Sequence, residues 1–408
     1  MVTLVFVTLG SLGDIKPMVA IAAFAKDAGY EVRFATSPGH RRLVEAAGLH
    51  YEAFGSDAFF DQRDVREALV APSTGFGTFM WHANLAELEE LYGRLSEISE
   101  GADMIVGTPL VMVAHLVAGK RVLPFVSCAF SPAMVLREAS VGAVDPYQNE
   151  WRSRLNALRR DIGLPRRSFP QMERFSADRT LGVYPACLRP ARGHYITEPL
   201  EIGYPRPRLS LSPVDGALAD WMGEGAFALV SFGSFVDRDA EHCFQSAVEA
   251  CRQVGLRCLY VSKHSADYLR RGSGHDVRLE QFVEHSQVMP RAAAIVHHGG
   301  TGTLMESLCA LRPVVITPFG LDQTYNAERV SDCDLGEVLD ASLIDIASLT
   351  RALSRALSAW RRRRPLVVNT IAAVGAAPEE RALQEIEQVL TSHKADSVRI
   401  GTASPTAL

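Results

Sequence analysis

The sequence predicts an α/β protein built of two doubly wound domains facing a central cleft, and three observations predict it. The first is a rhythm of short β-branched runs alternating with helical stretches, which implies mostly parallel strands in each half. The second is a proline-rich stretch near the middle, GYPRPRLSLSPVD from Gly203 to Asp215, after which the rhythm restarts. The third is length: 408 residues, at roughly 100 to 200 per domain, suffice for two full cores.

In chain order, Val2 to Thr8 reads as a first strand, Leu9 to Lys16 as a loop, and PMVAIAAFAKDAG as a helix with Pro17 in its first turn and Gly29 just past its end. YEVRFAT, LHYEAF, MIVGT and LPFVSCA read as further strands, with SPGHRRLVEAAG helical between the first two. Beyond the proline-rich stretch come strands FALVSF, LRCLYVS, DVRLEQF, AAIVHH and PVVITPF. Helices AEHCFQSAVEACRQVG, GTLMESLCALR and QTYNAERV alternate with them. The expected division is an N-terminal domain over 1–205, a linker over 206–215 and a C-terminal domain over 216–375. A helix over 376–394 is expected to pack back on the N-terminal domain, followed by a tail over 395–408.

Composition excludes several classes. With 47% hydrophobic and 22% charged residues the chain is an ordinary globular protein. Lys plus Arg at 42 against Asp plus Glu at 47 gives a net charge of −5, so a nucleic-acid partner is not expected. The 7 cysteines are odd in number and form no C-x-x-C pair, which predicts a reducing, cytoplasmic setting. The N-terminus has no basic start before its apolar run and reads as a strand, not a signal peptide. Pro109 and His115 interrupt the longest apolar stretch, Met104 to Gly119, so no transmembrane helix is expected.

In open α/β sheets ligands bind beyond the carboxyl ends of the strands, so the chemistry is expected in the loops there. AAIVHHGGTGTLMESL ends a strand at His297 and opens a helix within a few glycines and threonines, which aims backbone N–H groups and a positive helix end at one point. That suits a phosphate, with His297, Thr301 and Thr303 adding donors; the same stretch also reads as a Gly-rich turn beside a core histidine. One strand later, Asp322, Gln323 and Asn326 open the next helix, an arrangement that suits a ligand rich in hydroxyls and equally an N-cap Asp with surface neighbours. Gly233 and Ser234 end the first C-terminal strand, either against a phosphate or as an ordinary turn. Asp14 follows the first strand, where a carboxylate can take a proton from an acceptor hydroxyl. The rival role is helix capping, but with Pro17 at the first helical position the cap falls on Lys16 and Asp14 is left for function.

Together GSLGDIKP, SFGS, HHGGTGT and DQTYNAERV, in that order and spacing, resemble the GT-B glycosyltransferases of family 1 over nearly the whole chain. The similarity is strongest to the bacterial branch with sterol and glycopeptide-antibiotic glycosyltransferases and the rhamnolipid rhamnosyltransferase. The resemblance implies inverting transfer from a nucleoside-diphosphate sugar, UDP- or TDP-linked, to a hydroxyl of a small acceptor. The C-terminal domain would bind the donor and the N-terminal domain the acceptor. It implies Asp14 as general base. For the diphosphate it implies Ser234, His297 and the loop Gly299, Gly300, Thr301, Gly302 and Thr303. Asp322 and Gln323 would hold the donor sugar. No metal or other cofactor is implied, because the helix end and its donors can stabilise the departing diphosphate. The nucleobase segment QFVEHSQVMPRA keeps Phe282 and Val283 for stacking and backbone contact. It has Glu284 where the family usually has proline, with His285 next.

The aromatic cluster containing Phe54, Phe59, Phe60, Phe76, Phe79 and Trp81 reads as the lining of an apolar acceptor pocket or as buried core. His82 is the rival base. The run Arg361 to Arg364 reads as a solvated helix end. Three other classes compete. A dinucleotide oxidoreductase is disfavoured because the first loop lacks G-x-G-x-x-G and the second strand ends in Ala35-Thr36 without a ribose-binding acid. A nucleotide-sugar epimerase would need no acceptor pocket. A non-catalytic partner would be expected to have lost Asp14 or the donor loop. The acceptor, the donor sugar, the oligomeric state and whether the bond formed is to O, N or C stay open.

Overall fold

The computed structural model describes residues 1–402 except 70, 72–73, 137–146, 191–192, 208–213, 234–239, 263–274 and 374–376. The N-terminal sheet comprises β1 (Thr3–Val7), β2 (Glu31–Thr36), β3 (His50–Ala53), β4 (Met104–Gly107), β5 (Phe125–Ala129), β6 (Arg179–Gly182) and β7 (Leu200–Glu201). The C-terminal sheet comprises β8 (Phe227–Ser231), β9 (Arg257–Val261), β10 (Val277–Glu280), β11 (Ala294–His297), β12 (Val314–Ile316) and β13 (Glu337–Val338). Every pair is parallel. Strand orders are β3-β2-β1-β4-β5-β6-β7 and β10-β9-β8-β11-β12-β13. Two Rossmann-like domains result, as the alternating rhythm predicts.

In each sheet the strand order reverses beside the first strand of the domain, between β1 and β4 and between β8 and β11. Connections leave such a point toward opposite faces, opening a crevice at the strand ends. The loops after β1 and β11 therefore converge on the site.

The helices that build the site are α1 (Leu12–Asp27), α2 (Thr301–Cys309) and α3 (Gln323–Asp332); α4 (Ile346–Ala373) and α5 (Pro378–Thr402) complete the chain. Apolar residues of α5, including Ala382, Ile386 and Leu390, bury themselves in the core formed by β1 and α1. Residues 395–402 of the expected tail belong to α5. Pro365 lies inside α4, so the arginine run is not a helix end. Arg362 and Arg363 bind Asp334, and Arg363 also binds Glu337.

The helix expected from Pro17 begins five residues earlier, at Leu12. Ser11 caps it, and Asp14, three residues on, accepts the Ser11 N–H at 2.8 Å and the Ser11 hydroxyl at 3.1 Å. This reciprocal box satisfies orphan donors of the first turn, so Asp14 does carry the capping role that the sequence reading denied it. Pro17 thus lies inside the helix and cannot donate to the Gly13 carbonyl.

Candidate active site

A cavity of about 320 Å³ lies between the two domains, and Asp14, Phe282, His298, Gly302 and Asp322 all line it. Asp14 reaches it because Gly10 stands at φ +125° with no side chain: a Cβ there would lie 2.4 Å from the Asp14 carboxylate. Burial pushes the Asp14 carboxyl up to about 7, and the charge of Asp322 across the cleft adds to the shift. Hydrogen bonds from Ser11 oppose it and lose. A carboxylate in this state has enough basicity to take a proton near neutral pH.

The N-terminus of α2 faces that of α1 across the cleft. The approach is so close that a Cβ on Gly302 would lie 2.5 Å from Gly13 Cα. Gly302 leaves no room for a side chain there, and at Gly13 a Cβ would be tight, 3.1 Å from Gly302 N. The first intrahelical bond of α2 runs from Leu304 N–H to the Gly300 carbonyl, leaving the amides before it without helical partners. Asp322 takes one of them, accepting Thr301 N–H at 3.1 Å and the Thr301 hydroxyl at 2.7 Å. The Gly302 and Thr303 amides, with the positive end of the helix, remain for an anion in the cavity.

Asn326 holds this corner together. It is fully buried and donates to the Gly299 carbonyl, to Thr301 and to Asp322 at 2.9, 3.1 and 2.9 Å. Gln323 is likewise structural on one side, its Oε1 accepting Phe319 N–H and Gly320 N–H. Its amide nitrogen remains for the cavity, which it lines.

His297 is not in the cavity wall. As the last residue of β11 it keeps the strand's inward alternation and is fully buried. Its Nε2 pairs with the Ser307 hydroxyl at 3.1 Å and its Nδ1 accepts Gly299 N–H at 3.0 Å. The ring therefore braces the loop, and the assignment of a ligand contact to it is corrected. His298, next in sequence, points the other way and lines the cavity. Its Nδ1 is buried without a hydrogen-bond partner, and burial holds the ring below the usual histidine range. Strand alternation was the available signal.

Of the aromatic residues expected around an acceptor, Phe76 and Phe79 line the N-terminal side of the cavity, while Phe59 and Trp81 do not. Phe59 is core, packed on Phe60 and on His82, and Trp81 stacks on Tyr147. Phe60, Leu69, Phe130 and Met134 also belong to the apolar wall. His82, the rival base, stacks on Phe59 and is not among the lining residues. On the donor side Phe282 is 61% exposed with its ring at the cavity, and Val283 is buried beside it. Lys16 of α1 pairs with Glu284 at 2.9 Å across the domain boundary. Ser234 falls outside the described residues. Among the described residues, no helix is long and apolar enough to cross a membrane.

Comparison with known proteins gives this geometry a context. Residues 265–391 match the erythromycin biosynthesis protein CIII-like C-terminal domain family. The chain is 29% identical over 359 residues to the O-mycaminosyltylonolide 6-deoxyallosyltransferase of Streptomyces fradiae, covering 79% of this chain and 82% of that one. It is 26% identical over 385 residues to the sterol 3-beta-glucosyltransferase of Cryptococcus neoformans, covering 81% of this chain but 24% of that much longer protein. The chain thus spans about a quarter of the sterol glucosyltransferases it matches. Among solved structures, a calicheamicin glycosyltransferase superposes with a TM-score of 0.72 at 20% identity, covering 99% of this chain and 100% of that one. A spinosyn rhamnosyltransferase complexed with thymidine diphosphate superposes at 0.69 with 17% identity, covering 94% and 100%. The shared architecture is GT-B.

Proposed function

We propose that this chain, a sugar-transferring enzyme of the family 1 GT-B type, moves a sugar from a UDP- or TDP-sugar to a hydroxyl of a small hydrophobic acceptor, with inversion at the anomeric carbon. The observation that carries the reading is the opposition of Asp14 to the N-terminus of α2 across one cavity, a base facing an anion site. The acceptor hydroxyl gives its proton to Asp14 as its oxygen attacks the anomeric carbon. The bond from that carbon to the diphosphate oxygen breaks on the opposite side, and the diphosphate leaves with the electron pair. Ser11 holds one oxygen of Asp14, so Oδ1 is the one that receives the proton.

The Gly302 and Thr303 amides, the Thr301 corner and His298 receive the charge developing on the leaving group, and Gly299 and Gly300 let it approach the backbone. No metal is required for that charge in this reading. Phe282 stacks on the nucleobase and Val283 contacts it. Asp322, through Oδ1, and Gln323, through its amide nitrogen, hold sugar hydroxyls. The apolar wall around Phe76 and Phe79 receives the acceptor. The O-mycaminosyltylonolide 6-deoxyallosyltransferase and sterol 3-beta-glucosyltransferase relatives support a hydrophobic natural product or lipid as acceptor. The neighbour complexed with thymidine diphosphate supports a thymidine donor beside uridine. The seven cysteines form no disulfide, which supports a reducing, cytoplasmic setting.

The test is a stability screen against UDP, TDP and GDP followed by transfer assays with the matching sugar donors and a panel of apolar alcohols. A ligand at 100 times its Kd stabilises the fold by about 2.7 kcal/mol, so one diphosphate should raise Tm clearly above the others. The product should carry the anomeric configuration opposite to the donor. Retained configuration, or no response to any diphosphate, contradicts the proposal.

A further inference from the structure

Lys16 and Glu284 stand on opposite sides of the cleft, each next to a functional group of the other kind. Lys16 is two residues after Asp14 on the first turns of α1, and Glu284 directly follows Val283. Their ammonium and carboxylate meet at 2.9 Å with side chains 15% and 19% exposed, a shielded pair. Glu284 precedes the short helix His285–Val288 yet makes no capping bond to it. Its carboxylate turns instead toward α1, where Oε1 accepts from Lys16 and also from the Ser286 hydroxyl at 3.2 Å. A proline at 284 would offer no such group. The pair therefore links the segment that would touch the nucleobase to the helix that carries the carboxylate.

We propose that Lys16 and Glu284 are positioning residues for sugar transfer: their ion pair ties the nucleobase segment to α1, so that occupation of the donor site fixes the position of Asp14. The proposal rests on the donor reading given above. It adds a mechanical coupling that Gly13 and Gly302 alone do not supply, because those two residues meet without any polar bond that could survive a small shift. An exposed pair would contribute little, but a shielded one between two elements fixes their register, and small misplacements of a reacting group are costly.

The experiment is hydrogen–deuterium exchange of the full chain with and without the nucleoside diphosphate that binds best, on wild type, Glu284→Gln and the reversed pair Lys16→Glu with Glu284→Lys. In wild type, the diphosphate is expected to slow exchange at residues 282–285 and 300–303 and also at 12–16. Glu284→Gln should keep the first two effects and lose the third, and kcat for transfer should fall by roughly tenfold to a hundredfold with donor KM changed about threefold or less. The reversed pair should regain protection at 12–16 and most of kcat. Protection at 12–16 that persists in Glu284→Gln, or a reversed pair no better than the single variant, overturns the proposal. Wild type without protection at 300–303 contradicts the donor reading itself and removes this proposal with it.

Discussion

The two helices that meet at the centre of the cleft begin in different ways. α1 closes its first turn with its own residues, Ser11 and Asp14, and the carboxylate that caps it faces the cavity. α2 has no side-chain cap of its own at Gly300 and borrows a carboxylate from the next loop, Asp322, which serves Thr301 and leaves the following amides unused. Both ends present a positive dipole to the same space. One has been neutralised locally and carries a half-buried acid; the other keeps donors for an anion. The source of the capping carboxylate thus separates a base from an anion site, although the backbones are nearly alike.

The largest break in this comparison is Asp14→Asn. Asparagine keeps the cap but cannot accept the proton, so transfer should fall by about 10²- to 10⁴-fold, while nucleoside diphosphate affinity by calorimetry stays near wild type. Asp14→Ala should add a loss of about 1 kcal/mol of stability from the missing cap. Next comes Gly302→Ala. Its methyl would stand 2.5 Å from Gly13 Cα and must spread the helices, whereas Gly13→Ala meets its nearest neighbour, Gly302 N, at 3.1 Å. Transfer should fall by about 10²-fold for the first and less for the second, each with a measurable domain-spacing change by small-angle scattering.

The two histidines sharpen the donor side. His298→Ala should weaken diphosphate binding about tenfold with Tm nearly unchanged, as loss of one hydrogen bond to a charged group predicts. His297→Ala should instead lower stability by about 1–3 kcal/mol, because Ser307 and the Gly299 amide lose a buried partner. The smallest effect is expected from Phe76→Ala, a partly exposed wall residue: a severalfold rise in acceptor KM without change in donor KM.

Much of this was legible in the sequence. Strand and helix alternation is a period-2 against period-3.6 signal carried by many residues, so both parallel sheets are legible in it. The loops after β1 and β11 stood out because glycines there have a geometric task. What escaped was side-chain direction. His297 and His298 are chemically identical in the sequence, and only their successive, opposite directions at the end of β11 separate the bracing ring from the one that lines the cavity. The box formed by Ser11 and Asp14 was visible as S-x-x-D, but Pro17 drew the helix start downstream. Phe59 and Trp81 look like Phe76 and Phe79 in composition and differ only in which neighbours reach them first. The Lys16–Glu284 pair joins residues 268 apart, a distance no local pattern spans.

The measurement that tests the central claim most directly is the pH dependence of kcat/KM for the acceptor between pH 5 and 9, on wild type and Asp14→Asn. Burial raises the Asp14 carboxyl from 3.8 to about 7, and the base works only when ionised. The wild-type rate should therefore rise with pH through a single ionisation near 7 and level off above it. The same shift has a stability sign. The protonated form is favoured in the folded state, so wild type should lose stability relative to Asp14→Asn as pH climbs from about 4 to 7. Asp14→Asn should show a low rate without that rising limb. A wild-type profile flat across this range, or a limb that survives in Asp14→Asn, would contradict the assignment of the base.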